Sequence, residues 1–432
     1  MRFSLICVIA LAACSHKSPP KCVPATCATL TAECGTAEDG CGNQLECGTC
    51  SGTLVCGATT ANQCDCAPKS CGDLNVTCGP ADDGCGNAID CGACPPCKNG
   101  VKDGNETDVD CGGGTCDPCA GGAACLASTD CASLACFENI CWAWKEQAKM
   151  TTARYGLAAA VGADGKIYVV GGWNNLVLDT LEIYDPATDH WSTGMHMPTP
   201  RQWLAAATAH DGRIIVMGGL DSTGMSALST VEAYTPGSDS WAAVSSLTTA
   251  RWGLSAVTGE DGTIYGIGGE TGANTALTSV VESYDPVHDH WSSVEAISSA
   301  RVDTAATLGP DNLIYVMGGF ETVSSIPTTD SIVQAYVAGM NMWESAPGLS
   351  TPRWGLASAV VDSRIFTVGG TDTAGLYNTV EWIKVGDTGW TTVVALPTPR
   401  WWLSAASVSN RLYVIGGLEP GNPSQSVESF GP

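Results

Sequence analysis

Residues 154–191 read RYGLAAAVGADGKIYVVGGWNNLVLDTLEIYDPATDHW, and this stretch decides the fold because its marks keep returning down the chain. An Arg opens it, two apolar runs meet at an Asp-Gly corner, a glycine pair ends the second run, and a Trp closes it. The arginines are Arg154, Arg201, Arg251, Arg301, Arg353 and Arg400; the glycine pairs begin at Gly171, Gly218, Gly268, Gly318, Gly369 and Gly416. The tryptophans are Trp144, Trp191, Trp241, Trp291, Trp343 and Trp390. Marks of this kind at a period near fifty residues indicate a propeller array.

The intervals show where each repeat is rigid. Every repeat Trp stands ten residues before the next Arg, and every Arg stands sixteen or seventeen before its glycine pair. From the pair to Glu182, Glu232, Glu282, Gln334, Glu381 and Glu428 the distance runs from eleven to sixteen, so the variation in length sits in one loop. Four strands fit each repeat. The small apolar run Leu157 to Val161 reaches Asp164-Gly165, a positive-φ pair of the kind a tight hairpin needs, and the second strand returns over Lys166 to Val170. Asp211-Gly212, Asp261-Gly262, Asp311-Asn312 and, less clearly, Asp362-Ser363 and Ser409-Asn410 occupy the same corner. Second strands that are apolar at every position, such as Ile167 to Val170, are expected where both faces of a sheet are covered.

The last repeat stops at Phe430-Gly431-Pro432, one strand short, while Trp144 has no repeat ahead of it. The N-terminal strand is therefore predicted to complete the final blade, which removes open sheet edges and makes six blades.

These residues resemble the kelch family over about two-thirds of the chain, on marks such as Gly171-Gly172 with Tyr184 and Trp191, and Gly318-Gly319 with Tyr336 and Trp343. The resemblance implies an all-β, six-bladed kelch-type β-propeller closed by an N-terminal strand and preceded by a small disulfide-rich, loop-rich region. Ile383 and Phe430 stand where Tyr is expected, and Gln334 replaces the usual Glu. Each departure is expected to weaken one blade contact, and Gln334 to remove a charge-assisted bond from its Arg.

The first third is built differently, for all 24 cysteines lie at or before Cys141. Cys22, Cys27, Cys34, Cys41, Cys47 and Cys50 recur 44 residues on as Cys66, Cys71, Cys78, Cys85, Cys91 and Cys94. The implied organisation is a leader over 1–13, a tether over 14–21, cysteine-rich repeats over 22–64 and 65–96, a third module over 97–141, and the propeller over 142–432. Met1-Arg2 and the short apolar stretch Phe3 to Ala13 read as a signal peptide, and Leu11-Ala12-Ala13-Cys14 resembles a bacterial lipobox. That resemblance implies lipidation of Cys14, export, and, through Ser15, an outer-membrane location on its periplasmic or cell-surface side. An even 22 cysteines then remain for disulfides, each worth roughly 2–4 kcal/mol. Cys47/Cys50, Cys91/Cys94 and Cys116/Cys119 also have zinc-ligand spacing, but an oxidising compartment favours bridges. Asp103, Asn105, Asp108 and Asp110 cluster oxygen side chains that suit either a calcium-binding turn or a plain acidic turn; no other cofactor is implied.

With 19 basic and 44 acidic residues the formal charge is −25, which excludes nucleic acid as a partner and leaves lipid as the contact with the membrane. Strand directions bring the residues after each Arg and after each glycine pair to one end of the blades, where the length-variable loop also leaves. In kelch relatives these positions line the ligand face. Here they hold Tyr155, Gln202, Trp203, Trp252, Asp303, Trp354, Trp401 and Trp402 after the arginines, and Trp173, Glu270, Phe320 and Glu321 after the glycines. Indoles interleaved with carboxylates suit glycans or extended peptides, cationic ones especially. The plain alternative is that these rings pack on one another and plug the channel.

The repeat arginines and glutamates read as struts, since a residue repeated six times suits no asymmetric ligand. Copper-oxidase chemistry, known in some kelch-like propellers, is excluded because the propeller has no Cys, and no catalytic residue is assigned. Three readings stand: a lipid-anchored envelope protein that binds a protein or glycan, a carbohydrate-active enzyme of epimerase or glycosidase type using carboxylates on the same face, and an architectural envelope component.

Overall fold

The computed structural model describes residues 104–432, apart from 115, 134, 273–275 and 324–325, together with short pieces between 26 and 102. Cys14, its leader and Asp103 lie outside the described residues. The chain divides into two compact units, Met1–Gly104 and Asn105–Pro432. In the first, short hairpins pair Thr36–Glu38 with Gln44–Glu46, Leu54–Cys56 with Cys64–Cys66, and Pro80–Asp82 with Ala88–Asp90.

The second unit contains six four-stranded antiparallel sheets arranged around an axis. Blade one runs outward through Ala158–Val161, Ile167–Val170, Leu181–Asp185 and His190–Gly194. Blade six runs through Ser404–Val408, Arg411–Ile415 and Val427–Gly431 and then takes Ala143–Glu146 as its outer strand, with Phe430 opposite Trp144. The final blade is therefore closed by the strand from the N-terminal side, as its missing strand demanded.

The hairpin corners differ from the sequence expectation. In blades one to four a single residue is left-handed, Gly165, Gly212, Gly262 or Asn312, while the Asp before it accepts a backbone N–H two residues on, as Asp164 does from Lys166 at 3.2 Å. Among the first hairpin corners of the six blades, two consecutive left-handed residues occur in the two that look least like Asp-Gly: Asp362-Ser363 (φ 49° and 57°) and Ser409-Asn410 (φ 49° and 59°). These are two-residue hairpins of the twist-matched kind. They are one residue shorter, which accounts for the drop from seventeen to sixteen between Arg and glycine pair.

The repeat arginines are wholly buried struts. Arg154 donates to the carbonyls of Gly171 (3.0 Å) and Thr180 (3.2 Å) and pairs with Glu182, and Arg251 pairs with Glu282 at 2.6 Å. The backbone carbonyl of each Arg accepts the N–H of the preceding blade's second glycine, as in Gly172 to Arg201 (3.0 Å) and, across the seam, Gly417 to Arg154 (2.9 Å). Any Cβ at Gly171 would lie 2.6 Å from the Arg201 carbonyl oxygen, and φ there is +64°, so the pair excludes side chains on two grounds. Outside this layer, each repeat Trp donates its indole N–H to the preceding blade, as Trp191 does to Ala148 (2.7 Å), and Tyr184 donates to Asp189 (2.7 Å).

Two departures from the repeat prove to be compensated. In blade four, Gln334 accepts from Arg301 at 3.0 Å, and a carboxylate arrives from elsewhere, with Asp330 3.5 Å from the guanidinium. Burial outweighs the attraction of Arg301 and holds the Asp330 carboxyl above its ordinary range, so it is a weak counterion. Phe430, where a Tyr was expected, is fully buried against Trp144 (5.1 Å), Trp142 (5.6 Å) and Phe137 (6.4 Å). A hydroxyl there would need a partner that these rings cannot provide.

Phe137 and Trp142 belong to the cysteine-rich segment, which packs into the propeller's core between blades five and six. The Arg364 guanidinium sits 4.8 Å from the centre of the Phe137 ring and 5.3 Å from that of Trp382. Bridges Cys111–Cys119, Cys125–Cys136 and Cys131–Cys141 brace the segment, and Cys116 and Cys47 are also disulfide-bonded, which takes the pairs Cys116/Cys119 and Cys47/Cys50 away from zinc; Cys91 and Cys94 lie outside the described residues. In the acidic turn, Asn105 is exposed, and Asp108 accepts from the N–H groups of Val109 (2.7 Å) and Ala124 (2.6 Å). Asp110 is the left-handed residue that turns the chain back (φ 59°).

If Asp330 stands in for the missing repeat Glu, Asp330→Asn will destabilise the domain by about 1–3 kcal/mol, and adding Gln334→Glu will restore most of the loss. Urea unfolding of the three variants checks this, and a double variant no more stable than Asp330→Asn would refute it.

Candidate functional site

Each strut Arg fixes the two residues that follow it. The first pairs through its backbone with the residue just past the glycine pair: Tyr155 with Trp173, Gln202 with Leu220, Trp252 with Glu270, Val302 with Phe320, Trp354 with Thr371, and Trp401 with Leu418. Positions separated in sequence by a whole hairpin thus meet at one end of every blade.

The second residue after each Arg is Gly156, Trp203, Gly253, Asp303, Gly355 or Trp402, and all six are left-handed, with φ between 50° and 61°. They form a closed cycle of hydrogen bonds around the axis. Trp203 N–H donates to Gly156 (2.7 Å), Gly253 to Trp203 (2.9 Å), Asp303 to Gly253 (2.8 Å), Gly355 to Asp303 (2.9 Å), Trp402 to Gly355 (2.8 Å), and Gly156 back to Trp402 (2.9 Å). Glycine and a large residue alternate because each large side chain lies over the glycine before it. A Cβ at Gly156 would stand 3.1 Å from the Trp203 ring, and one at Gly253 2.8 Å from the Asp303 carboxyl. Below the mouth lies a channel of about 160 Å³ walled by small residues, Ala159, Ala206, Ala256, Ala306, Ser358 and Ala405, while Leu157, Leu204, Leu254, Leu356 and Leu403 are buried between the blades.

The aromatic residues of the face form one connected cluster. Trp401 stacks on Trp402 at 3.6 Å; Trp354 meets Trp401 at 4.6 Å and Phe320 at 5.6 Å. Trp402 also touches Trp203 (5.0 Å) and Tyr155 (5.5 Å), and these reach Trp252 (5.4 Å) and Trp173 (5.3 Å) respectively. The rings do pack on one another, yet every one of them remains half-buried rather than enclosed. The packing that the sequence posed as the plain alternative is therefore present, and the rings keep part of their surface open.

The polar members divide. Glu270 and Glu321 are half-buried on the face, and the charge of Glu321 reaches Arg301. Gln202 is 5% exposed and tucked against Gly224, so its side chain belongs to the loop packing rather than to the open surface. Asp303 is 9% exposed and accepts the Trp402 indole N–H at 2.8 Å. Burial pushes its carboxyl up to about 7, the Trp402 bond opposes the shift, and the charge of Glu270 adds to it. The glycines of the axial cycle went unread in the sequence, although the alternation of Gly, Trp, Gly, Asp, Gly and Trp two residues after each Arg was there to find.

An unfolded Asp loses its proton near 3.8, whereas native Asp303 keeps it to about 7, so the native state holds the extra proton between those values and Asp303 costs stability increasingly as pH rises through the window. Asn tolerates left-handed backbone and can still accept from Trp402. Asp303→Asn is therefore expected to stabilise the protein at pH 8 by up to roughly 4 kcal/mol and not at all at pH 4. Denaturant titrations at the two pH values measure this; a gain independent of pH would contradict the burial of the charge.

Among known proteins, the family model described as Attractin/LZTR1 beta-propeller matches residues 121–380. The solved structure titled "Structure of YjhT" superposes with a TM-score of 0.55 at 18% identity, covering 65% of this chain and 95% of that one, a likeness of fold alone. No curated protein sequence matches the chain. The matched span takes in the first four blades and much of the fifth, with their struts, glycine pairs and outer latches, and on that match the chain belongs to the Attractin/LZTR1 beta-propeller family, with a kelch-like propeller of six blades.

Proposed function

We propose that the chain is an exported, lipid-anchored binding protein of the bacterial cell envelope, and that the aromatic and acidic end of its propeller holds a protein or glycan ligand. One observation carries this reading: eight touching aromatic rings stay partly exposed around the axial mouth. A patch of this kind on a soluble domain marks an interaction site. Carboxylates rim it, and the repeat arginines beneath are fully buried and paired. In this reading the lipid on Cys14 holds the chain at the outer membrane, the disulfide-rich region acts as a spacer, and calcium, if bound, sits in the acidic turn.

The carbohydrate-active reading is favoured by one further observation. A buried carboxyl that titrates near 7, as Asp303 does, is suited to taking and returning a proton at neutral pH.

Glycan and peptide arrays probed with the native protein and with Trp401→Ala test the face. The expected result is a bound ligand class whose affinity falls about tenfold or more in the variant, equivalent to about 1.4 kcal/mol or more, with an unchanged melting transition. Equal binding by both proteins would remove the face from consideration. Cys14→Ala is expected to abolish incorporation of labelled fatty acid and to release the protein from the membrane fraction; retention of both would overturn the anchor.

A further inference from the structure

We propose that the axial mouth is a socket for a primary ammonium group, and that its occupant is a lysine side chain of a basic peptide. The proposal rests on the binding reading of the face and specifies what that face takes.

Asp303 is the sole ionisable side chain among the residues lining the channel. One of its carboxylate oxygens, Oδ2, takes the Trp402 N–H, and the other has no hydrogen-bond partner among the described residues. Trp402, Trp203 and Tyr155 stand around the mouth with ring centres 5.0 to 6.1 Å apart. Trp402 is itself stacked between Trp401 and Tyr155 and gives Asp303 its N–H edge, so an ammonium is recognised here first by the ion pair, with ring quadrupoles adding where a face stays open. Anionic ligands would meet Asp303, Glu270 and Glu321 on a chain of formal charge −25. That same charge draws a basic polymer in.

Lysine is preferred to an amino sugar because the surroundings offer apolar contacts that a sugar cannot use. Ala159, Ala206, Ala256, Ala306 and Ala405, all partly exposed, line the channel below the mouth. Leu176 and Met225, 73% and 70% exposed, stand on the loops of blades one and two that leave the same end. Flexible Met side chains of this kind adapt well to peptides.

Binding by this route is coupled to a proton. Unliganded Asp303 keeps its proton to about pH 7, and an arriving ammonium displaces it. The other charged groups near the mouth do not replace Asp303. Glu270, on blade three, raises its proton affinity, and Arg301, on blade four, is held by Asp330 and Gln334. Tyr155, on blade one, is kept neutral by burial, and the channel lining from blades five and six adds no ionisable group.

Calorimetry on the full chain with a capped Ala-Lys-Ala peptide, its Nε-acetyl form and a glucosamine trimer, between pH 5 and 8, tests the proposal. The lysine peptide is expected to bind, acetylation to weaken it at least about tenfold, and affinity to fall by up to about tenfold per unit below pH 7. Asp303→Asn should weaken binding and flatten the profile. Trp402→Phe, which keeps a ring but loses the donor, should move the midpoint to higher pH. Equal affinity for the acetylated peptide, or a flat native profile, overturns the proposal, as does binding of the glucosamine trimer alone, which assigns the socket to amino sugars. Failure of the lysine peptide while an array ligand remains sensitive to Trp401→Ala defeats this inference and leaves the binding reading intact; arrays insensitive to Trp401→Ala defeat both.

Discussion

Six backbone N–H groups, each donating to the carbonyl of the neighbouring blade, form a cycle around the axis at the second residue after each strut Arg. Such a cycle tolerates no gap. It requires six blades and left-handed backbone at all six places, and that conformation is costly for most side chains. Three positions meet the requirement with glycine; the other three carry Trp, Asp and Trp, and in the cycle each of these stands between two glycines. The mouth therefore has two indoles and one carboxylate at its rim because the cycle leaves room for three large side chains and not six.

Much of this was legible in the sequence because the repeat is held by groups that cannot be exchanged. Arg154, Arg201, Arg251, Arg301 and Arg400 each satisfy carbonyls at the ends of two strands at once, and the glycine pairs lie too close to the next blade's Arg carbonyl to carry a Cβ. Such contacts fix residue types at fixed intervals, and intervals survive in one dimension. The missing fourth strand of the last repeat was legible for the same reason, since an antiparallel sheet leaves an edge that something must fill.

What stayed hidden was compensation. Asp330 stands only four residues before Gln334, but spacing alone does not say that it faces Arg301, and nothing near Phe430 points to Phe137 and Trp142, almost three hundred residues earlier. Burial of Asp303 depends on the rings that neighbouring blades bring over it, a property of assembly rather than of spacing. The corners Asp362-Ser363 and Ser409-Asn410 misled for a simpler reason. Asn, Asp and Ser were weaker signals than Gly, yet a two-residue hairpin places both of them in left-handed backbone.

The seam of blade six also sets the order of events during biosynthesis. Ala143–Glu146 emerges ahead of every other propeller strand but pairs with Val427–Gly431, which is made after all the other propeller strands. Until then Phe137, Trp142 and Trp144 have no Phe430 to cover them. Closing so long a loop is slow, because its entropy is lost before the contacts it brings can form. The nascent chain must therefore wait, with an aromatic edge uncovered, for its last-made propeller strand. An uncovered edge of this kind can join other chains, so loss of Val427–Gly431 should be felt first as aggregation.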